Sequence, residues 1–112
     1  MVFDHIGLRT ETEQPDETWV ESSRVWVTKP EAHPFRVEWL RYASDSPITG
    51  PVREQPHIAF RVDDIIAACQ GLDVLLEPFA VGGGARVGFY LSNDGAVVEF
   101  MDDLATPPDR DE

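Results

Sequence analysis

Pro56-His57-Ile58-Ala59-Phe60-Arg61-Val62-Asp63-Asp64 repeats, in weakened form, the earlier stretch Asp4-His5-Ile6-Gly7-Leu8-Arg9-Thr10. Both stretches read as strands bounded by polar residues. Each is followed by a second strand-like segment with a single glutamate among apolar residues, Arg36-Val37-Glu38-Trp39-Leu40 and Val97-Val98-Glu99-Phe100-Met101. The chain is therefore two copies of one unit, each supplying one histidine and one glutamate. His5 and Arg9 precede His57 and Arg61 by 52 positions, whereas Glu38 precedes Glu99 by 61. The second copy has gained residues just after its histidine strand.

Those extra residues carry the one helix that the pattern predicts, from Asp63/Asp64 through Gln70. An aspartate there can accept from the free N–H groups at a helix start, Ile65, Ile66 and Cys69 give apolar spacing, and Gly71 ends it. The same interval of the first copy is Glu11-Thr12-Glu13-Gln14-Pro15-Asp16-Glu17, polar and broken by proline, so the first copy is expected to lack most of its helix. Strands are predicted over Val2–Arg9, Arg24–Thr28, Phe35–Tyr42, His57–Val62, Val74–Glu77, Arg86–Leu91 and Ala96–Met101. Turn-forming residues separate them, at 29–34 and 92–95. The division is one domain: module one over about 1–43, a linker over about 44–55, module two over about 56–103, and a frayed tail over about 104–112.

Strand alternation places His5, Gly7 and Arg9 on one side and Ile6 and Leu8 on the other. By the same rule His57, Ala59 and Arg61 oppose Ile58, Phe60 and Val62. Glu38, with Arg36, Leu40 and Tyr42, opposes Val37 and Trp39, and Glu99 opposes Val98 and Phe100. The histidine and glutamate faces can form one surface, with the apolar faces as core. Gly7 and Ala59 are small beside each histidine, leaving room for a ligand.

The chain has 112 residues and a formal charge of −12. That length suits a single core, and that charge argues against a nucleic-acid partner, because phosphates would be repelled. The lone Cys69 excludes an intrachain disulfide framework and fits a reducing cytoplasm. No apolar run approaches the roughly 18–20 residues that span a bilayer, and no export signal is visible. The expected location is cytoplasmic, with no membrane partner.

An isolated glutamate in an apolar strand costs free energy to bury without a partner. Two such glutamates and two histidines on matching strands resolve that cost as a ligand set: His5, Glu38, His57 and Glu99. Two neutral imidazoles with two carboxylates leave a double negative charge that a divalent cation neutralises. This mixed nitrogen and oxygen set suits Zn²⁺, Ni²⁺, Co²⁺, Mn²⁺ or Fe²⁺ and disfavours iron–sulfur chemistry. Arg9, Arg61 and Arg36 fall on the ligand face and are candidates to hold a substrate carboxylate or phosphate. His33 lies in a turn and is left out of the set.

At these residues the chain resembles the vicinal oxygen chelate superfamily, which includes glyoxalase I, extradiol dioxygenases and the bleomycin-resistance proteins. The resemblance covers nearly the whole chain to about Asp103 and is strongest from His57 to Phe100. It implies an α+β fold of two βαβββ modules in a cupped mixed sheet, with the first module short of its helix. It also implies metal ligands at His5, Glu38, His57 and Glu99. The activity implied is that of a small glyoxalase-like lyase or isomerase, moving a proton next to a carbonyl with Glu99 or Glu38 as base. Having both glutamates sets the chain apart from the two-His-one-Glu dioxygenases. The alternative is a non-catalytic small-molecule or antibiotic binder of the bleomycin-resistance type. The expected partners are a small-molecule substrate and a second copy of the chain, because the missing helix leaves Ile6, Leu8, Val37 and Trp39 uncovered.

Overall fold

The computed structural model describes residues 1–103; the tail expected to fray from about 104 lies outside them. The chain forms two compact units, one of Asp4–Ile58 and one of Met1–Phe3 with the chain from Ala59 on. The fold class is α+β; among the described residues there are eight strands, paired in both parallel and antiparallel senses, and the helices are short.

The Asp4–Ile58 unit takes most of β1 (Val2–Arg9), then β2 (Thr18–Val20), β3 (Val25–Val27), β4 (Val37–Tyr42) and a one-turn helix α1 (Pro51–Glu54). Its strands lie in the order β2-β3-β4-β1. β2 and β3 form a hairpin in which Trp19 opposes Trp26, their rings 5.0 Å apart. The parallel pairing of β1 and β4 sets Gly7 against Glu38 and Leu8 against Trp39. Two elements here were not expected. Thr18-Trp19-Val20 is β-branched and aromatic enough to be a strand but very short, and α1 starts at Pro51 inside the supposed linker, where proline suits a first helical turn.

The other unit runs β5 (His57–Arg61, from Ala59 on), α2 (Ile65–Ala68), β6 (Asp73–Ala80), β7 (Arg86–Leu91) and β8 (Val97–Asp102). This is the β-α-β-β-β order of one module. The first unit has the same order without the helix: residues 10–17 hold only turns and bends. α2 begins as predicted, with Asp64 accepting from Ile66 N at 3.0 Å, but it is shorter than predicted. Cys69 has already left helical geometry, the Gln70 amide turns back to the Ile66 carbonyl at 2.8 Å, and Gly71 sits at φ 84°. Ile65, Tyr90 and Phe100 form the buried core under this turn, with Phe60, Val62 and Val98 packed against it. Ile58, expected in the core, is 40% exposed. The glycine run Gly82–Gly84 forms a 3-10 turn, closed by a bond from Val81 N to Ala85 O of 2.9 Å.

One exchange of side chains explains why only one copy keeps a helix. Counting 61 positions back from Asp102, as from Glu99 to Glu38, reaches Arg41. The buried Asp102 carboxylate accepts from Ile65 N at 2.8 Å and from Arg86 at 2.8 and 3.1 Å, so it fastens the helix start to the sheet. A guanidinium cannot accept a helix N–H. Arg41 instead grips Glu17 at 2.9 and 2.6 Å, and Glu17 accepts from Gln14 N, which latches the loop that stands in the helix's place. The bond from Arg41 draws the Glu17 carboxyl below its ordinary range.

Asp102→Ala should therefore destabilise the protein by about 3 kcal/mol, as expected for removing one partner of a buried pair. Denaturant unfolding measures this, and a loss below about 1 kcal/mol would show that the helix start does not depend on the carboxylate.

Candidate metal centre

His5 is the fourth residue of β1 and His57 the first of β5; both are 3% exposed. Glu38 is the second residue of β4, with a side chain 19% exposed. These three residues belong to the Asp4–Ile58 unit, and the fold brings their side chains together. One Glu38 oxygen, Oε1, lies 3.4 Å from His5 Nε2 and 3.6 Å from His57 Nε2. The two imidazoles meet edge to face, 5.5 Å between ring centres.

The spacing fits an ion. Two donors each ~2.1 Å from one cation at a near-tetrahedral angle stand ~3.4 Å apart. One ligand atom from each of the three residues falls within 4.8 Å of the others, so this His/Glu cluster can hold a divalent metal. Its charge state suits a ligand set as well. Burial pushes the Glu38 carboxyl upward, but its bonds to His5 and His57 and their charge outweigh that, bringing its pKa down to about 2. The carboxylate needs no proton removed before it can ligate at neutral pH. Glu99 is buried on β8 in the other unit, 6% exposed.

Gly7 turns out to have a sharper role than leaving room for a ligand. A Cβ built on it would stand 2.0 Å from His57 Cε1 and 2.4 Å from His57 Nε2. The imidazole of the second repeat lies flush on the bare backbone of the first.

The predicted arginines diverge. Arg9 is half-exposed beside Glu54 at 3.6 Å and Glu11 at 3.9 Å, and with Tyr42 and Arg53 it lines a cleft of about 320 Å³. Arg61 lines a cleft of about 660 Å³ in its own unit, beside Val62 and Asp63. Arg36 does not continue the alternation that put it on the ligand face. It precedes β4 in a left-handed conformation, φ 58°, and its guanidinium engages Asp4. His33 stays in its turn, its Nδ1 accepting from Phe35 N at 3.0 Å. Sequence reasoning missed Asp4, which is 7% exposed and whose Oδ2 lies 2.7 Å from His5 Nδ1. The available signal was an acid within a strand, adjoining a candidate ligand.

No family model and no curated protein matches the chain. Among solved structures, it is similar to a glyoxalase family protein from Bacillus cereus, at 11% identity and a TM-score of 0.38, over 91% of this chain and 93% of that one. With likeness at that level, the fold and the site rest on the chain's own strands and side chains. Among the described residues, no helix is long and apolar enough to cross a membrane.

Gly7→Ala should push the His57 ring aside. Overpacking of this kind costs about 1–3 kcal/mol, and the variant should lose Zn²⁺ affinity while staying folded. Calorimetric titration with Zn²⁺ and denaturant unfolding report the two effects, and wild-type values for both would show that the ring does not need the bare backbone.

Proposed function

We propose that the protein is a small, glyoxalase-like, metal-dependent lyase or isomerase that moves a proton next to a carbonyl of a small, oxygen-rich substrate. The observation that carries this reading is the single Glu38 oxygen set between two imidazole nitrogens at 3.4 and 3.6 Å. In this reading His5, Glu38 and His57 hold the cation, and Glu99, the buried glutamate of the matching strand, completes the set. Zn²⁺, Ni²⁺, Co²⁺, Mn²⁺ and Fe²⁺ all suit these donors. When bound, such an ion supplies a Lewis acid that polarises adjacent substrate oxygens.

The two glutamates divide the remaining work. In this reading Glu38, whose Oε1 lies between the two imidazole nitrogens, is the permanent ligand, and Glu99 is the base. A carboxylate oxygen of Glu99 takes the proton from the hydroxyl-bearing carbon beside the carbonyl and returns it to the former carbonyl carbon, while the hydroxyl proton passes to the former carbonyl oxygen, so that hydroxyl and carbonyl exchange places. Arg9 and Arg61 are the proposed holders of a substrate carboxylate or phosphate; on β1, Arg9 alternates onto the same side as His5.

We also propose that two copies associate, in a reducing, cytoplasmic setting and without nucleic acid or membrane as partner. Ile6 pairs with Val37 and Leu8 with Trp39, forming an apolar strip on the side of β1 and β4 away from Glu38. Val37 and Trp39 floor a groove of about 630 Å³ walled by the 14–18 loop and the turn at Ala32 and His33.

Elemental analysis of protein purified without chelators should find a divalent metal. Solvent deuterium should enter a trial hydroxy-ketone at the carbon beside its carbonyl, and Glu99→Gln should abolish that exchange with the fold intact. Full exchange in the variant moves the base to Glu38; wild-type protein that takes up no metal and binds a small molecule without exchange supports a binder of the bleomycin-resistance type instead. Sedimentation at micromolar concentration should show twice the chain mass, and a clean 12.6 kDa species would exclude the dimer.

A further inference from the structure

Asp4 has work for both of its carboxylate oxygens. Oδ2 stands 2.7 Å from His5 Nδ1, and Oδ1 stands 3.4 Å from Arg36 Nη2. Arg36 also brackets His5 along the backbone. Its Nε donates to the Asp4 carbonyl, and its own carbonyl accepts from Ile6 N at 3.0 Å. The left-handed turn at Arg36 is what returns the guanidinium to β1 instead of continuing along β4.

A carboxylate can only accept, so the His5 nitrogen facing it must carry the proton. The neutral ring then presents its lone pair at Nε2, the atom beside Glu38. Resting on the metal reading above, we propose that Asp4, itself held by Arg36, is the positioning residue that commits His5 to bind metal through Nε2. The residue before His57 is Pro56, so the second repeat has no acidic chain neighbour at the position matching Asp4.

The amide of Asp4→Asn cannot satisfy both neighbours. With its oxygen toward His5, its NH₂ faces the Arg36 guanidinium, donor against donor. With its oxygen toward Arg36, its NH₂ faces Nδ1 and favours the tautomer with the proton on Nε2, which cannot ligate. Outer partners of this kind are worth about 10–100-fold in metal affinity, and that is the loss expected for Zn²⁺ in Asp4→Asn, with the circular dichroism of a folded protein. An affinity within about twofold of wild type, against that expected loss, overturns the proposal.

Long-range ¹H–¹⁵N correlation spectra of Zn²⁺-loaded wild-type protein decide the matter even if the variant does not fold. The proton should be on His5 Nδ1 and the metal on Nε2; the reverse assignment overturns the proposal. If wild-type protein takes up no Zn²⁺, the metal reading fails by itself. The same spectra of the metal-free protein, at a pH where the ring is neutral, then test Asp4 separately. A proton on Nδ1 supports its orienting role, and a proton on Nε2 ends it.

Discussion

Two imidazoles and a carboxylate are packed within hydrogen-bonding or near-hydrogen-bonding reach of one another, largely shielded from water, and much else in the first unit follows from that. Burying such groups is unfavourable unless each meets a group of complementary charge or hydrogen-bonding sense. Glu38 meets the condition through His5 and His57, which is why its pKa falls despite its burial. The condition also dictates features of the backbone. The parallel register of β1 and β4 sets Gly7 opposite Glu38, and only a residue without a side chain lets the His57 ring occupy that space. Polar partners and bare backbone have to arrive together, because any side chain at position 7 would move the ring that balances the carboxylate.

The two repeats solve the same structural problem with opposite charges. Where the second has Asp102, an acceptor that fastens a helix start and is itself held by Arg86, the first has Arg41, a donor that latches a loop through Glu17. A short insertion and a change from acceptor to donor are enough to exchange helix for loop while the strand order stays the same. That exchange leaves the apolar strip of β1 and β4 without the helix its counterpart has. It also places a polar loop and a groove on that side of the strands, the surface on which the proposed dimer relies.

The arginines show how a regular rule fails locally. Alternation along an extended strand put Arg36 beside Glu38, on the ligand side. One residue in the left-handed region is enough to break the alternation, and the guanidinium is spent on Asp4. The consequence is a change of role, from a candidate for holding substrate to a support for the residue that orients His5.

Local chemistry was enough to read the repeats, seven of the eight strands, the start of α2 and the identity of His5, Glu38 and His57 as a cluster. Each of these is written in short-range periodicity, or in residue types that are costly to bury alone. The length of α2, the strand at Thr18–Val20 and the turn of helix at Pro51 were not legible, because elements of three or four residues carry too little periodicity and are held by contacts from elsewhere. Nor was the fit of His57 over Gly7, or the link from Arg36 through Asp4 to His5. Those contacts join residues 50 and 32 positions apart. Strand pairing and a single backbone turn create them, and neither leaves a periodic trace in the residues it joins.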